Sequence, residues 1–78
     1  MSNAPKIVIY SQVFCGYCTA ARALLDEKGV SYEEIDITMK PQLRLELRER
    51  TGSRTVPQIY IGDRHVGGYD DLAALDAA

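Results

Sequence analysis

The sequence has no long apolar run and no large excess of charge of one sign. Its apolar stretches stay far below the ~18 residues that a membrane-spanning helix needs, so we expect no membrane span. The first residues lack the basic segment and apolar core of a secretory signal. The net charge of -2 is not the strongly basic balance typical of nucleic-acid-binding domains. These absences predict a cytoplasmic protein that binds neither nucleic acid nor membranes.

Internal repeats, low-complexity segments and linkers are absent as well. A chain of 78 residues has no room for a second domain, and such a small domain buries only roughly 60% of the surface that it exposes when unfolded. Its charged fraction of 26% and hydrophobic fraction of 46% are ordinary for a globular protein. We therefore interpret residues 1–78 as a single domain, with an irregular start over residues 1–5.

Cysteine is scarce, and both cysteines stand together. Cys15 and Cys18 form a C-x-x-C pair, so any thiol chemistry takes place there. In a chain without an export signal this spacing indicates redox or metal chemistry in a reducing compartment. A zinc site is disfavoured, because two sulfurs and His65 fall short of four ligands. A purely structural disulfide is also disfavoured, because so short a loop constrains the unfolded chain least.

The two cysteines occupy different environments in the predicted structure. Cys15 stands where an apolar strand ends and a helix begins, so the unpaired N–H groups of the first helical turn favour its thiolate. Cys18 lies one turn further on the same side, within disulfide reach but more buried. A low-pKa thiolate gains little as an attacking group, yet it is the better leaving group when a second thiol resolves a mixed disulfide. The pattern predicts a site built for turnover.

Hydrophobic periodicity and turn residues predict seven elements. Strands are expected over residues 6–10, 31–37, 56–61 and 65–67, and helices over residues 16–28, 41–51 and from about residue 69 onward. The first strand is apolar on both faces and therefore central, whereas the second is polar enough for a sheet edge. The order β-α-β-α-β-β-α predicts an α/β fold with a four-stranded mixed sheet and helices on both faces.

Several side chains are better explained by structure than by chemistry. Leu43 should face the core, one turn from Leu47, while most charges of the second helix form a solvated flank. His65 is interpreted as a strand residue rather than a ligand or base. Tyr10, Tyr32 and Tyr60 are interpreted as sheet and core residues.

Three motifs together resemble a known family. They are Cys15-Gly16-Tyr17-Cys18 after the first strand, Thr55-Val56-Pro57 before the third, and Gly67-Gly68-Tyr69-Asp70-Asp71 at the last helix. In this order and at these separations the chain resembles a glutaredoxin, of the thioredoxin-like fold, from Lys6 to Ala78. The resemblance implies a glutathione-dependent thiol–disulfide oxidoreductase that reduces protein disulfides and glutathione mixed disulfides.

The resemblance also implies roles for individual residues. Cys15 is the expected nucleophile and Cys18 the resolving thiol. Tyr17 is expected to line the glutathione site. Pro57 is expected to be a cis-proline that leaves the backbone of Val56 free to pair with the tripeptide.

The two ends of glutathione have their own expected partners. The amides of Tyr69 and Asp70, with the Asp71 side chain, should hold the γ-glutamyl end, because a free ammonium needs a nearby carboxylate. Arg44 should lie near the glycine carboxylate. The same expected site includes Gln12, Thr55 and Gly68.

Two positions depart from the family pattern. Gly16 stands where a proline is common, which gives the first helical turn more backbone freedom. Gln12 stands where a basic residue is common, which removes one cation from the thiolate and from the bound carboxylate.

The missing proline motivates an alternative function. Glutaredoxin-like proteins without it more often hold clusters, so the chain is alternatively a glutathione-ligated [2Fe–2S] carrier, with Cys15 contributed by each of two chains. The reductase is expected to be a monomer, and a dimer is expected only with a cluster.

Overall fold

The computed structural model describes residues 5–78, so all of the expected irregular start over residues 1–5 except Pro5 lies outside the described residues. Seven elements follow in the predicted order. They are β1 (Ile7–Ser11), α1 (Gly16–Glu27), β2 (Glu33–Asp36), α2 (Pro41–Thr51), β3 (Gln58–Ile61), β4 (Arg64–Gly67) and α3 (Tyr69–Ala77). Within the described residues no helix is long and apolar enough to cross a membrane.

The four strands form one mixed sheet in the order β2-β1-β3-β4. β1 pairs with β2 in parallel, and β3 pairs antiparallel with both β1 and β4. The predictions that β1 is a central strand, because it is apolar on both faces, and that β2 is an edge strand, because it is polar, are both confirmed. The sheet is the four-stranded mixed sheet that the order of elements predicts, and the fold is the thioredoxin-like one that the resemblance implies.

Helices cover both faces of the sheet, because adjacent residues of β1 point to opposite sides. Ile9 packs with Ala21 and Leu25 of α1 and with Leu72 of α3 on one face. On the other face the core cluster consists of Tyr10, Tyr60, Ile37 and Leu47, with Leu43 packed against it. The predicted core positions of Leu43 and Leu47 in α2 are therefore confirmed.

Most differences from the predicted elements lie at their ends. Relative to the prediction, β1 begins after Lys6 and extends to Ser11, and β4 begins one residue earlier, at Arg64. The helix α1 ends at Glu27, and Lys28 is its C-cap. The strand predicted over residues 31–37 is limited to Glu33–Asp36, the four residues that pair with β1. Beyond it, the Ile37 amide still donates to the Ser11 carbonyl at 2.8 Å.

The third strand begins later than residue 56. Pro57 has no N–H to donate to the ladder, and the strand begins after it, at Gln58. The segment before β3 is therefore a loop that ends at the sheet. This loop faces the start of α1, which brings two of the three motifs together.

Candidate active site

Cys15 is the N-cap residue of α1. Its backbone is extended (φ -118°, ψ 106°), and its Sγ accepts the Cys18 backbone N–H at 3.1 Å. The Cys15 carbonyl accepts the first helical bond, from the Thr19 N–H at 3.1 Å. The sulfur thus occupies the position where a capping oxygen usually satisfies an unpaired N–H of the first turn. A negative charge on this sulfur would be stabilised there.

Cys15 and Cys18 are joined by a disulfide, with their Cα atoms 5.2 Å apart. The structure therefore represents the oxidised state of the pair. Cys18 is fully buried, whereas Cys15 is half-buried. This asymmetry is the one that the sequence predicts, and it leaves Cys15 as the sulfur that a substrate can reach.

The loop that carries Cys15 is anchored to the turn after β2. The Val13 N–H donates to the Thr38 hydroxyl at 2.9 Å. Thr38 in turn donates from its hydroxyl and its backbone N–H to Asp36, and these bonds hold the pKa of the Asp36 carboxyl below its usual range. Between the anchor and Cys15, Phe14 adopts a positive φ of 55° and is fully exposed. The sequence signal for this anchor is weak, because it depends on a contact between two loops.

The loop before β3 supplies backbone groups beside the cysteine. The Val56 carbonyl oxygen lies 3.8 Å from Cys15 Sγ, and Pro57 behind it is buried. The Val56–Pro57 peptide bond is cis. A bound extended peptide could pair with such a free backbone edge.

Gln58 and His65 support this loop, and the sequence analysis missed them. Gln58 is buried and donates from Nε2 to the Thr55 carbonyl at 2.9 Å. The Thr55 carbonyl can only accept, so the amide nitrogen of Gln58 faces Thr55 and its Oε1 faces His65. The Nε2 of His65 lies 2.6 Å from this oxygen and donates to it. The sequence feature that could have indicated this role is a single glutamine at the start of an otherwise apolar strand. His65 otherwise occupies the strand position that we expected, stacked near Tyr60 with ring centroids 5.1 Å apart.

The third motif forms the start of α3. The Asp71 side chain accepts the Gly68 backbone N–H at 3.0 Å and so caps the helix. Asp70 and Asp71 place two carboxylates in the first turn, where they complement the helix dipole. The Tyr69 ring lies 6.2 Å from the Tyr17 ring of α1, centroid to centroid.

These parts enclose an open groove of about 470 Å³, which we call the tyrosine groove. It runs between Tyr17, the loop before β3 and the start of α3. Eight of the sequence-predicted glutathione residues line it: Tyr17, Thr55, Val56, Pro57, Gly68, Tyr69, Asp70 and Asp71. Four further residues that line it were not predicted: Ser53, Gln58, His65 and Gly67.

Gln12 and Arg44 lie outside the tyrosine groove but contact each other. Arg44 Nη2 donates to Gln12 Oε1 at 2.6 Å. Gln12 lines a surface depression with Cys15, while Arg44 lines a groove that also includes Thr55 and Val56. The polar Gln12 thus orients the arginine across from the cysteine loop.

A protein-bound metal has no set of ligands here. Among residues 5–78 no three or more histidine, cysteine, aspartate or glutamate side chains are grouped as a metal site. Neither this geometry nor the comparisons below favour the iron–sulfur carrier, and we do not propose it. The arrangement supports thiol–disulfide exchange at Cys15 instead.

Known proteins resemble the chain over nearly its whole length. The family model described as Glutaredoxin matches residues 7–66. A glutaredoxin of Pseudomonas aeruginosa is 54% identical over 95% of this chain and 88% of its own. Glutaredoxin 3 of Escherichia coli K12 is 49% identical over 92% of this chain and 87% of its own.

Solved structures give the same result. The solution structure of a Brucella melitensis glutaredoxin aligns with a TM-score of 0.86 at 47% identity, over 97% of this chain and 83% of that one. A buckwheat glutaredoxin–glutathione complex aligns with a TM-score of 0.86 at 32% identity, over 95% of this chain and 69% of that one.

Gly67 provides a test of the groove's construction. Its φ of +123° suits only glycine, and a Cβ there would collide with the Asp71 carboxylate. We predict that Gly67→Ala lowers the free energy of unfolding by roughly 1–3 kcal/mol. Gly16→Ala is the control, because a Cβ at Gly16 meets nothing within 4 Å. Chemical denaturation of both variants, in the same redox state, measures the difference, and equal stabilities would contradict the described start of α3.

Proposed function

The chain belongs to the glutaredoxin family and is a thiol–disulfide oxidoreductase, and from this premise we propose that glutathione is its reductant. The proposed substrates are glutathione mixed disulfides and protein disulfides, and the proposed nucleophile is Cys15. The observation that carries the proposal is the Cys15 sulfur at the start of α1, 3.1 Å from the Cys18 amide. The proposed unit is one catalytic domain over residues 1–78, working in a reducing compartment such as the cytoplasm.

The tyrosine groove has the chemistry that glutathione requires. A tripeptide thiol needs a backbone edge for its peptide groups, and Val56 offers one beside Cys15. Its γ-glutamyl end needs a carboxylate for the ammonium and N–H groups for the α-carboxylate, and the start of α3 has both. The buckwheat relative was solved as a complex with glutathione.

Arg44 is the proposed partner of the glycine carboxylate. Its guanidinium carries a positive charge and is held by Gln12 at 2.6 Å. It also lies in a groove lined by Val56, where the carboxyl end of a tripeptide paired with Val56 would emerge. A neutral Gln12 therefore contributes to the site by orienting a charge rather than by supplying one.

The first half of the reaction transfers glutathione to the protein. The Cys15 thiolate attacks the glutathione sulfur of a mixed disulfide, a Cys15–glutathione bond forms, and the substrate's sulfur leaves as a thiolate that takes a proton from water. The Cys18 N–H would stabilise the negative sulfur before the attack. The cysteine pair starts reduced and the mixed disulfide is the oxidant, so this step needs no other oxidant or reductant.

The second half regenerates the thiolate. A second glutathione thiolate attacks the glutathione sulfur on Cys15, oxidised glutathione forms, and Cys15 leaves as a thiolate. With a protein disulfide, Cys18 instead attacks Cys15 in the mixed disulfide and releases the reduced protein. This path ends in the Cys15–Cys18 disulfide, the form described here, which two glutathione molecules then reduce. Where glutathione attacks the glutathione sulfur on Cys15, the stabilised Cys15 thiolate is the better leaving group, whereas in the Cys18 path the substrate's sulfur leaves.

Serine variants of the two cysteines separate their roles. We predict that Cys15→Ser abolishes turnover of a glutathionylated peptide, because no thiolate remains at the helix start. Cys18→Ser should stay within about threefold of the native rate, since glutathione resolves the intermediate from outside. The measurement is formation of oxidised glutathione under excess reduced glutathione. Activity in both variants, or equal loss in both, would contradict the assignment.

Asp71 tests the binding of the ammonium end separately from the helix cap. Asp71→Asn keeps an oxygen that can accept the Gly68 N–H but removes the negative charge. We predict a KM for the glutathionylated peptide that is about twofold to fivefold higher, with unchanged alkylation of reduced Cys15 by iodoacetamide. Asp63→Asn, in the turn between β3 and β4, is the control of equal charge. If KM stays at the native value in both variants, Asp71 does not bind the ammonium.

A further inference from the structure

A second groove begins where the tyrosine groove ends. It measures about 280 Å³ and lies between α2 and the loop before β3. Its lining includes the apolar side chains Ile37, Leu45 and Leu47 and the arginines Arg44, Arg48 and Arg54. Leu45 is 47% exposed, so apolar surface is accessible beside the charges. We call it the arginine groove.

Among residues 5–78 none of the three arginines forms an ion pair. The ion pairs among residues 5–78 use Lys6, Arg22 and Lys28 instead. No aspartate or glutamate of the described chain lines the arginine groove. Three guanidinium groups therefore surround one apolar groove on a chain whose net charge is -2. Their planar forks match carboxylates, which they can bind through two parallel hydrogen bonds.

Arg50, also in α2, differs from Arg48 and Arg54 because its side chain has partners within the protein. Arg50 donates to the Tyr10 hydroxyl at 3.0 Å, a bond that raises the pKa of its guanidinium. Its Cζ also lies 4.7 Å from the centroid of the Tyr60 ring. Arg48 and Arg54 have no such aromatic or hydroxyl partner among the described residues, and both are exposed. They are available to a partner from outside.

The arginine groove adjoins the tyrosine groove close to the Cys15 sulfur. Thr55 and Val56 line both grooves, and the Val56 carbonyl is 3.8 Å from Cys15 Sγ. In the proposed orientation the carboxyl end of glutathione points to Arg44, so residues that follow the reacting cysteine of a longer peptide would continue along α2. Arg44 and Arg48 are one turn apart, a rise of ~6 Å. Alternate residues of an extended peptide are separated by a similar ~7 Å.

We propose that the arginine groove docks protein disulfide substrates that carry acidic residues at alternate positions just after the reacting cysteine. The inference rests on the proposed function and extends it from glutathione to the protein substrate. Arg44 serves the glycine carboxylate or the first substrate carboxylate, while Arg48 and Arg54 contact only a substrate longer than the tripeptide. The apolar floor accepts an apolar side chain between the acids.

The test compares disulfide-containing peptides that differ only after the reacting cysteine, with Asp-x-Asp, Asn-x-Asn or Lys-x-Lys. We expect the native protein to reduce the Asp peptide with a kcat/KM about fivefold above that of the Asn peptide, and the Lys peptide more slowly than either. Raising the ionic strength from about 0.01 M to about 0.15 M should reduce this preference, because exposed charge pairs are screened.

Two variants of equal charge locate the effect. Arg48→Gln with Arg54→Gln removes two positive charges from the groove, and Arg64→Glu changes the net charge by the same amount on the hairpin between β3 and β4. The double variant should lose the preference for the Asp peptide, whereas Arg64→Glu should keep it. Both should turn over a small glutathionylated thiol at the native rate.

The possible failures are distinguishable. Normal turnover of the small glutathionylated thiol without any preference among the peptides would overturn the docking surface alone. A preference that survives in the double variant would assign it to another surface and overturn the proposal too. No turnover of the small substrate by the native protein would overturn the proposed function itself.

Discussion

The proposed chemistry depends on one contact, the hydrogen bond from the Cys18 amide to the Cys15 sulfur at the start of α1. It puts sulfur where a helix ordinarily has a capping oxygen, so the peptide dipoles of α1 act on the proposed nucleophile. The same turn places Cys18 one helical turn away with its Cα 5.2 Å from that of Cys15, close enough for the disulfide. The two roles that we propose for the cysteines, a stabilised thiolate and a resolving thiol, therefore both rest on a single helical turn.

The sheet fixes the position of this turn relative to the groove. Ile9 and Tyr10 of β1 belong to opposite cores, so the strand that leads to Cys15 is held by α1 and α3 on one face and by α2 on the other. β3 is hydrogen-bonded next to β1, which brings Val56 and Pro57 beside the cysteine loop. The tyrosine groove is thus assembled from the ends of elements whose middles form the core.

The order of elements could be predicted because local patterns determine it: Pro41 and Gly52, for example, mark the predicted limits of α2. The C-x-x-C pair indicates where thiol chemistry takes place, and most residues of the tyrosine groove were expected from the resemblance to glutaredoxins. The side-chain contacts between different elements and loops could not be predicted, because no periodicity encodes them. Gln58 reaches both Thr55 and His65, and Arg44 reaches Gln12 across 32 positions of sequence. The Arg44–Gln12 contact gives Gln12 a structural role. From the sequence alone, Gln12 shows only that a basic residue common in the family is missing.

The central claim is that the start of α1 stabilises the Cys15 thiolate, and the pH dependence of alkylation measures it most directly. In the reduced Cys18→Ser variant only Cys15 reacts with iodoacetamide, and its rate follows the thiolate fraction. The account predicts a midpoint well below the ~8.5 of an ordinary cysteine thiol. A midpoint at about 8.5 would contradict it, because the helix start would then have no effect on the sulfur that it caps.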